Sequence, residues 1–384
     1  MAVLSGDLDR SEPRLWQTIR AISWGLVLLI CAAAGSGIAV LYSAANGSME
    51  PWAAKQTIRF AVALILMVGV ALPDIRYWFR AAYWVYTIML ALVVAVDLRG
   101  FVGMGAQRWI DLGAIQLQPS ELMNVAVVLA LARYFHTLSS EDVSRVRFLI
   151  LPLLTIGVPA VLVLKQPDLG TAVILLIGGA VMFFIAGVRL RYFVVIAAAV
   201  AAALPGVWHF LRDYQKTRIY TFLDPDSDPL GAGYHILQSK IALGSGGLLG
   251  KGFLQGSQSH LSFLPEKQTD FIFTTLAEEF GLVGGLGLLL LYALIVVYGF
   301  AVALRSRNHF GRLLGLGIVT NFFLSVFINT AMVMGLLPVV GVPLPLISYG
   351  GTAMLAVMFG FGLLINVGAH RDTRLNRSGE SRRG

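Results

Sequence analysis

Cysteine is nearly absent from this 384-residue chain, with Cys31 the sole example. One thiol excludes an internal disulfide and any multi-cysteine metal site. Charge is scarce as well. Asp, Glu, Lys and Arg make up 13% of the residues, where a soluble domain carries about 25%. Hydrophobic residues reach 57% and the mean hydropathy is +0.77. Such a chain cannot cover itself with polar surface in water, which excludes a soluble enzyme. Repeats are missing too. The 41 Gly and 14 Pro are dispersed without a period, which excludes collagen-like and low-complexity architectures.

What is present is a series of long apolar runs. Runs of about 18 residues or more read as membrane helices. About ten are expected, over 23–44, 58–73, 82–98, 120–138, 148–164, 169–187, 191–211, 271–304, 313–336 and 348–369. The first is too long for a cleaved signal peptide and follows a polar, mixed-charge segment. An even number of spans puts both termini on one side. The segments on that side carry 18 Lys or Arg and the opposite segments 11, six of which lie in the loop 212–270. Long loops weigh little in the positive-inside rule. Both termini are therefore expected in the cytoplasm, with 212–270 outside between spans seven and eight. The expected organisation is a cytoplasmic segment 1–22, a membrane domain 23–369 and a basic cytoplasmic tail 370–384. The formal charge of +8 then reads as topology signal and headgroup contact, not as nucleic-acid affinity.

Polar residues collect in the outward segments 97–121, 165–171 and 212–279. A nucleotide site is not among them. The stretch 244–252 fails the P-loop spacing, because Ser245 replaces the first glycine and Gly252 follows Lys251 where Ser or Thr is needed. It reads as a turn or re-entrant loop. Bond-forming chemistry on this face must draw on the substrate or an ion gradient. The loop 212–270 is too long for a plain connector, and 233–243 within it has the spacing of a short amphipathic interfacial helix.

Asp270 stands where the eighth span leaves the outer surface, beside Glu266 and Lys267. It reads either as part of a helix start, with Thr269 as N-cap, or as a general base at the membrane–water boundary. Glu278 and Glu279 lie deeper and are either functional or locked in a buried pair. Gln118-Pro-Ser-Glu121 makes a good helix start, and Glu121 either complements its dipole or lines a polar cavity. Arg108 beside Trp109 either grips a phosphate or anchors at the interface. Asp168 either pairs with Lys165 or joins a polar site. The uncharged run 335–351 reads as a Pro/Gly-broken connection buried in protein.

Several motifs then occur in order: Gly105-Ala-Gln-Arg-Trp-Ile110, Gln118-Pro-Ser-Glu121, Lys165-Gln-Pro-Asp-Leu-Gly-Thr171, Asp224 to His235, Phe263 to Phe273, and Ile347-Ser-Tyr-Gly-Gly351. Together they resemble the SEDS family (shape, elongation, division and sporulation). Asp224–His235 and the following Gln238-Ser-Lys-Ile-Ala242 resemble its rod-shape elongation branch. Three positions depart from the family pattern: Asn124 where Lys is usual, Ser262 where an acid is frequent, and Gln268 where His is frequent.

The resemblance implies an all-α, polytopic glycosyltransferase similar to other lipid-dependent, GT-C-like enzymes. It implies an inverting peptidoglycan polymerase that uses lipid II, a disaccharide-pentapeptide on undecaprenyl diphosphate, at the outer face of the cytoplasmic membrane. The implied partners are a class B penicillin-binding protein and the elongation machinery. Asp270 matches the family's catalytic position. Arg108, Glu121, Lys165, Asp168, Glu266, Lys267 and Ser348 are the candidate substrate-binding residues, with or without a divalent cation (Mg or Mn). Two other classes stay open. A lipid flippase needs polar residues through both leaflets, and a non-catalytic scaffold tolerates loss of Asp270.

Overall fold

The computed structural model describes residues 20–103, 106–111, 113, 116–139, 141–210, 213–224, 232–260, 266–373 and 375. Each expected apolar run contains a helix. These are α1 (Trp24–Ala44), α2 (Ala53–Ala71), α3 (Ile75–Arg99), α4 (Pro119–Thr137), α5 (Val146–Lys165), α6 (Leu169–Ile185) and α7 (Leu190–Phe210). Three short helices follow in the long loop: α8 (Asp213–Leu223), α9 (Ala232–Ser245) and α10 (Ser257–His260). The last three are α11 (Ile272–Leu304), α12 (His309–Val333) and α13 (Gly351–Ala369). Seven of them are long and apolar enough to cross a membrane, namely α1, α2, α3, α5, α11, α12 and α13.

Two helices begin well before their apolar runs, α2 at Ala53 where 58 was expected and α3 at Ile75 where 82 was expected. Lys55, Gln56 and Arg59, then Arg76, Tyr77 and Arg80, are polar or interfacial but good enough helix formers to extend the spiral. Hydropathy marks the apolar layer, while the helix ends are set by caps. Asp74 caps α3 by accepting from the Arg76 N–H at 2.7 Å. A small antiparallel sheet was not expected. Its order is β1 (Phe101–Gly103), β2 (Ala106–Asp111), β3 (Gln116–Leu117). It fills the segment between α3 and α4 and carries Arg108 on β2.

The core lies where α12, α4 and α13 meet. Phe310, Phe135, Phe361, Leu129 and Met123 are all fully buried there. Helix α13 packs along α2, α4 packs against α3, and α11 lies between α1 and α12. The uncharged run 335–351 is buried only in its later part, where Val342, Leu344, Leu346, Ile347 and Ser348 are buried, whereas Leu336 is 67% exposed. Its backbone oxygens find partners inside the bundle. The Tyr292 hydroxyl donates to the Pro345 carbonyl at 2.6 Å, and Gln56 Nε2 donates to the Ser348 carbonyl at 3.0 Å.

Helix α11 is interrupted at Gly281, whose φ of 66° and ψ of −161° lie outside the helical region. The interruption strands two carbonyls and two N–H groups that a continuous helix would pair with each other. The turn after α9 takes all four. The Lys251 and Gly252 N–H groups donate to the Glu278 and Glu279 carbonyls, both at 3.0 Å. The Leu282 and Val283 N–H groups donate to the Gly247 and Leu248 carbonyls at 2.9 and 3.1 Å. The stretch 244–252, expected as a turn or re-entrant loop, is thus spliced into the hydrogen-bond ladder of α11.

Side chains complete the splice and decide between the two readings of Glu278 and Glu279. Glu278 Oε1 accepts from Lys251 Nζ at 2.7 Å and from the Gln258 N–H at 2.9 Å. The Ser43 hydroxyl donates to Glu279. Both carboxylates are fully buried and engaged in the structure.

Backbone this close leaves no room for a side chain at Gly250. Its φ is +81°, and a Cβ there would lie 2.0 Å from the Glu279 carbonyl oxygen. Gly250→Ala is expected to cost about 2 kcal/mol or more through strain and overpacking. Gly244→Ala, which meets nothing within 4 Å, is expected to be close to neutral. Thermal unfolding of the two variants in detergent checks the difference.

Candidate active site

Asp270 lies in the tight turn that leads into α11. The helix itself starts at Ile272 with Phe271 at the cap and no side-chain capping bond. The expected N-cap role of Thr269 is therefore not what the structure shows. The Thr269 hydroxyl instead donates to Glu266 Oε2 at 2.9 Å, and its N–H donates to the Glu266 carbonyl at 3.0 Å. Glu266, at φ 56°, folds its carboxylate back onto its own turn, where Gln268 Nε2 also approaches at 3.4 Å.

This turn is pinned from two sides by the buried stretch between α12 and α13. The Ser348 hydroxyl donates to the Thr269 carbonyl at 2.6 Å and accepts from the Leu344 N–H at 2.7 Å. The Tyr349 N–H donates to the Gln268 carbonyl at 2.8 Å. Asn329, fully buried on α12, donates through Nδ2 to the Asp270 carbonyl at 2.9 Å and the Val342 carbonyl at 2.7 Å. The backbone of Asp270 is fixed on both flanks. Its carboxylate makes no hydrogen bond or ion pair among the described residues.

A second cluster stands opposite. Asp168 is 2% exposed and caps α6, accepting from the Thr171 N–H at 3.2 Å and the Thr171 hydroxyl at 2.9 Å. Its Oδ2 also accepts from Gln118 Nε2 at 2.9 Å. These donors replace the Lys165 pairing considered above. Lys165 is exposed at the last turn of α5, where a cation complements the helix dipole. Arg108 reaches from β2 to the same turn, donating from Nε to the Gln166 carbonyl at 3.0 Å and from Nη2 to the Pro167 carbonyl. Two backbone acceptors hold the guanidinium in place.

The two clusters share one electrostatic field. Burial pushes the Asp270 carboxyl up to about 6. Glu266 and Asp168 push it the same way, while Arg108 and Arg218 pull it down. Burial also lowers the Lys267 ammonium below its ordinary value. Lys267 Nζ stands 6.0 Å from the centroid of the Trp52 ring. Asp270, Glu266, Asp168 and Arg108 thus come together, with Arg218 of α8 as an addition.

Glu121 sits deeper, in the first turn of α4. It lines a cavity of ≈ 50 Å³ with Asn124, Asn321 and Ser325. It also feels the charge of Asp168. Asn329 and Gln118 are the structural members that sequence reading passed over as site residues. Both are amides within apolar helical sequence or at its edge, where membrane depth makes any polar group a candidate. Part of the motif region, 225–231 and 261–265, falls outside the described residues.

A family model described as "Cell cycle protein", covering the FtsW, RodA and SpoVE proteins, matches residues 15–373. Peptidoglycan glycosyltransferase MrdB of Escherichia coli K12 is 44% identical over 367 residues, which is 94% of this chain and 97% of that protein. A chain from the structure of a peptidoglycan synthase complex that coordinates polymerization and crosslinking superimposes with a TM-score of 0.80. It is 34% identical, over 94% of this chain and 99% of that one. The rod shape determining protein RodA of Thermus thermophilus superimposes with a TM-score of 0.69 at 30% identity, over 92% of this chain and 98% of that one. The match runs through every helix that builds the site, and the chain belongs to the FtsW/RodA/SpoVE family of multi-pass membrane proteins.

Proposed function

We propose that this chain is a peptidoglycan glycosyltransferase of cell elongation, joining lipid II units into glycan strands at the outer face of the cytoplasmic membrane. The observation that carries the reading is Asp270, a carboxylate with a rigid backbone, an unengaged side chain and an affinity for protons tuned near neutrality. The relative named peptidoglycan glycosyltransferase, at 44% identity over nearly the whole length, supports it. So does the likeness to a chain of a peptidoglycan synthase complex, which suggests a class B penicillin-binding protein as partner. In this reading both termini, with 1–22 and 370–384, lie in the cytoplasm and 212–270 lies outside.

The chemistry follows from the residues. The donor sugar is already attached to a diphosphate, so no nucleotide is required. The acceptor's GlcNAc 4-hydroxyl oxygen attacks the donor's anomeric carbon, and its proton passes to Asp270. The bond from that carbon to the diphosphate oxygen breaks, and the lipid diphosphate leaves with the electron pair. A single displacement inverts the anomeric centre. Arg108, Lys165 and Lys267 supply positive charge for the diphosphate. Glu121 lines a separate small cavity and takes no part in the displacement. Asp168, Glu266 and Ser348 act at one remove, by holding the turns that carry Arg108 and Asp270. Among the described residues no three His, Cys, Asp or Glu gather to hold a metal, and the Asp168 and Glu266 carboxylates are already engaged by Thr171, Gln118 and Thr269. No step is routed through a divalent ion.

Asp270→Asn is expected to reduce polymerisation of labelled lipid II by about 10²-fold or more, with lipid II binding retained. Full activity in this variant would sink the proposal. The pH dependence has a definite sign. The base works deprotonated, so the rate should climb as pH rises through about 6 and then level off. A folded-state value raised above the ordinary 3.8 means that the native state holds the proton longer than the unfolded chain. Stability is therefore lost as pH rises through that window, and Asp270→Asn should melt higher than wild type at pH 7. Asn329→Leu removes the amide that ties the Asp270 carbonyl to the Val342 carbonyl. It should lower kcat about tenfold or more with a smaller change in KM, read in steady-state assays of the purified complex.

A further inference from the structure

The cavity lined by Glu121 holds chemistry that the displacement reaction leaves unused. It lies between α4, α12 and α13, and its polar lining is Glu121, Asn124, Asn321 and Ser325, with Phe322 and Phe361 closing it. Asn124 is 7% exposed and its Oδ1 has no hydrogen-bond partner. Asn321 Oδ1 is also without one. The Asn321 amide faces the other way, donating through Nδ2 to the Asn124 carbonyl at 3.3 Å. The Ser325 hydroxyl donates to the Asn321 carbonyl at 3.0 Å, so its oxygen retains the capacity to accept. The Glu121 carboxylate takes part in no hydrogen bond or ion pair among the described residues.

A half-buried carboxylate beside a buried amide oxygen with no donor is costly in a low-dielectric layer unless a positive partner is supplied. No Lys or Arg lines this cavity. We infer that the cavity is a binding site for one monovalent alkali cation, held by the Glu121 carboxylate, Asn124 Oδ1 and the Ser325 hydroxyl oxygen. The donor set is entirely oxygen, which suits a hard cation. Its formal charge is a single negative, which one sodium or potassium ion neutralises. A divalent ion would leave a net positive charge buried among phenylalanines. The volume of ≈ 50 Å³ takes such an ion with about two waters to complete its shell. Glu121 and Asn124 are three residues apart on α4, and Asn321 and Ser325 four apart on α12, so each pair presents one face to the cavity.

The test is thermal unfolding of the purified full-length protein in detergent, with sodium, potassium or choline chloride at constant ionic strength. A ligand that binds only the folded state raises the midpoint with its concentration. The wild type should melt a few degrees higher in sodium or potassium than in choline, with saturation. Glu121→Gln removes the charge that needs a partner and should lose the difference. Asn124→Lys places a tethered ammonium in the cavity and should melt alike in all three salts, at or above the wild type in choline. Equal wild-type midpoints in the three salts would overturn the inference, as would an undiminished sodium response in Glu121→Gln. The readout is independent of polymerisation, so this outcome and the fate of Asp270 are judged separately.

Discussion

Inside a bundle of apolar helices, backbone that stops being helical must find new hydrogen-bond partners, and the rest of this structure is arranged around that demand. The chain breaks its helices before α4, between α5 and α6, at Gly281 in α11, and between α12 and α13. Each break frees donors and acceptors. Each is then closed by a segment distant in sequence, and these closures bring the candidate site together. Ser348 meets Thr269, Tyr349 meets Gln268, Arg108 meets Gln166 and Pro167, and Asn329 meets Asp270 and Val342. Preorganisation of the carboxylate is a by-product of satisfying the backbone around it.

Engaged and unengaged carboxylates divide cleanly by what surrounds them. Glu278 has Lys251 and a backbone N–H, Glu279 has the Ser43 hydroxyl, and Asp168 has Thr171 and Gln118. These charges are spent on architecture. Asp270 keeps its side chain unspent while its main chain is tied down, and burial holds it at a proton affinity suited to a base near neutral pH. Arg108 shows the same division, since two carbonyls fix its orientation while a guanidinium has five donors to offer. The contrast with Ser348, whose hydroxyl both donates and accepts within the fold, separates groups available to a substrate from groups that hold them in place.

Much of this was legible in the sequence. Ten apolar runs correspond to ten helices, 233–243 lies within the helix Ala232–Ser245, and Asp270 stands at the entrance of α11 as expected. Local signals are strong there: hydropathy, a polar loop and an acidic residue at a boundary. The missing parts depend on distant contacts. Asp168 is engaged by Thr171, as near in sequence as Lys165 but on the other side, and by Gln118, which is fifty residues away, so proximity to Lys165 was no guide. The sheet β1–β3 is short and its register includes a bulge between Phe101 and Val102, leaving too little alternation to read. The early starts of α2 and α3 escaped because hydropathy reports the apolar layer and not the spiral. Asn329 was hidden because a lone amide in an apolar helix does not reveal which carbonyls it will meet.

The splice at Gly281 also bears on how the molecule is made. A chain is made from its N-terminus, so the turn 246–252 exists before the helix that will receive it. That helix emerges with four unpaired main-chain groups at the interruption, and its two halves are joined only by a glycine until the turn docks. The wait is short, because about thirty residues separate the two partners and closing such a loop costs little. The order of arrival makes the rigidity of α11 wait on the turn that precedes it. The turn that carries Asp270 is completed later still, when Asn329, Ser348 and Tyr349 arrive to hold it.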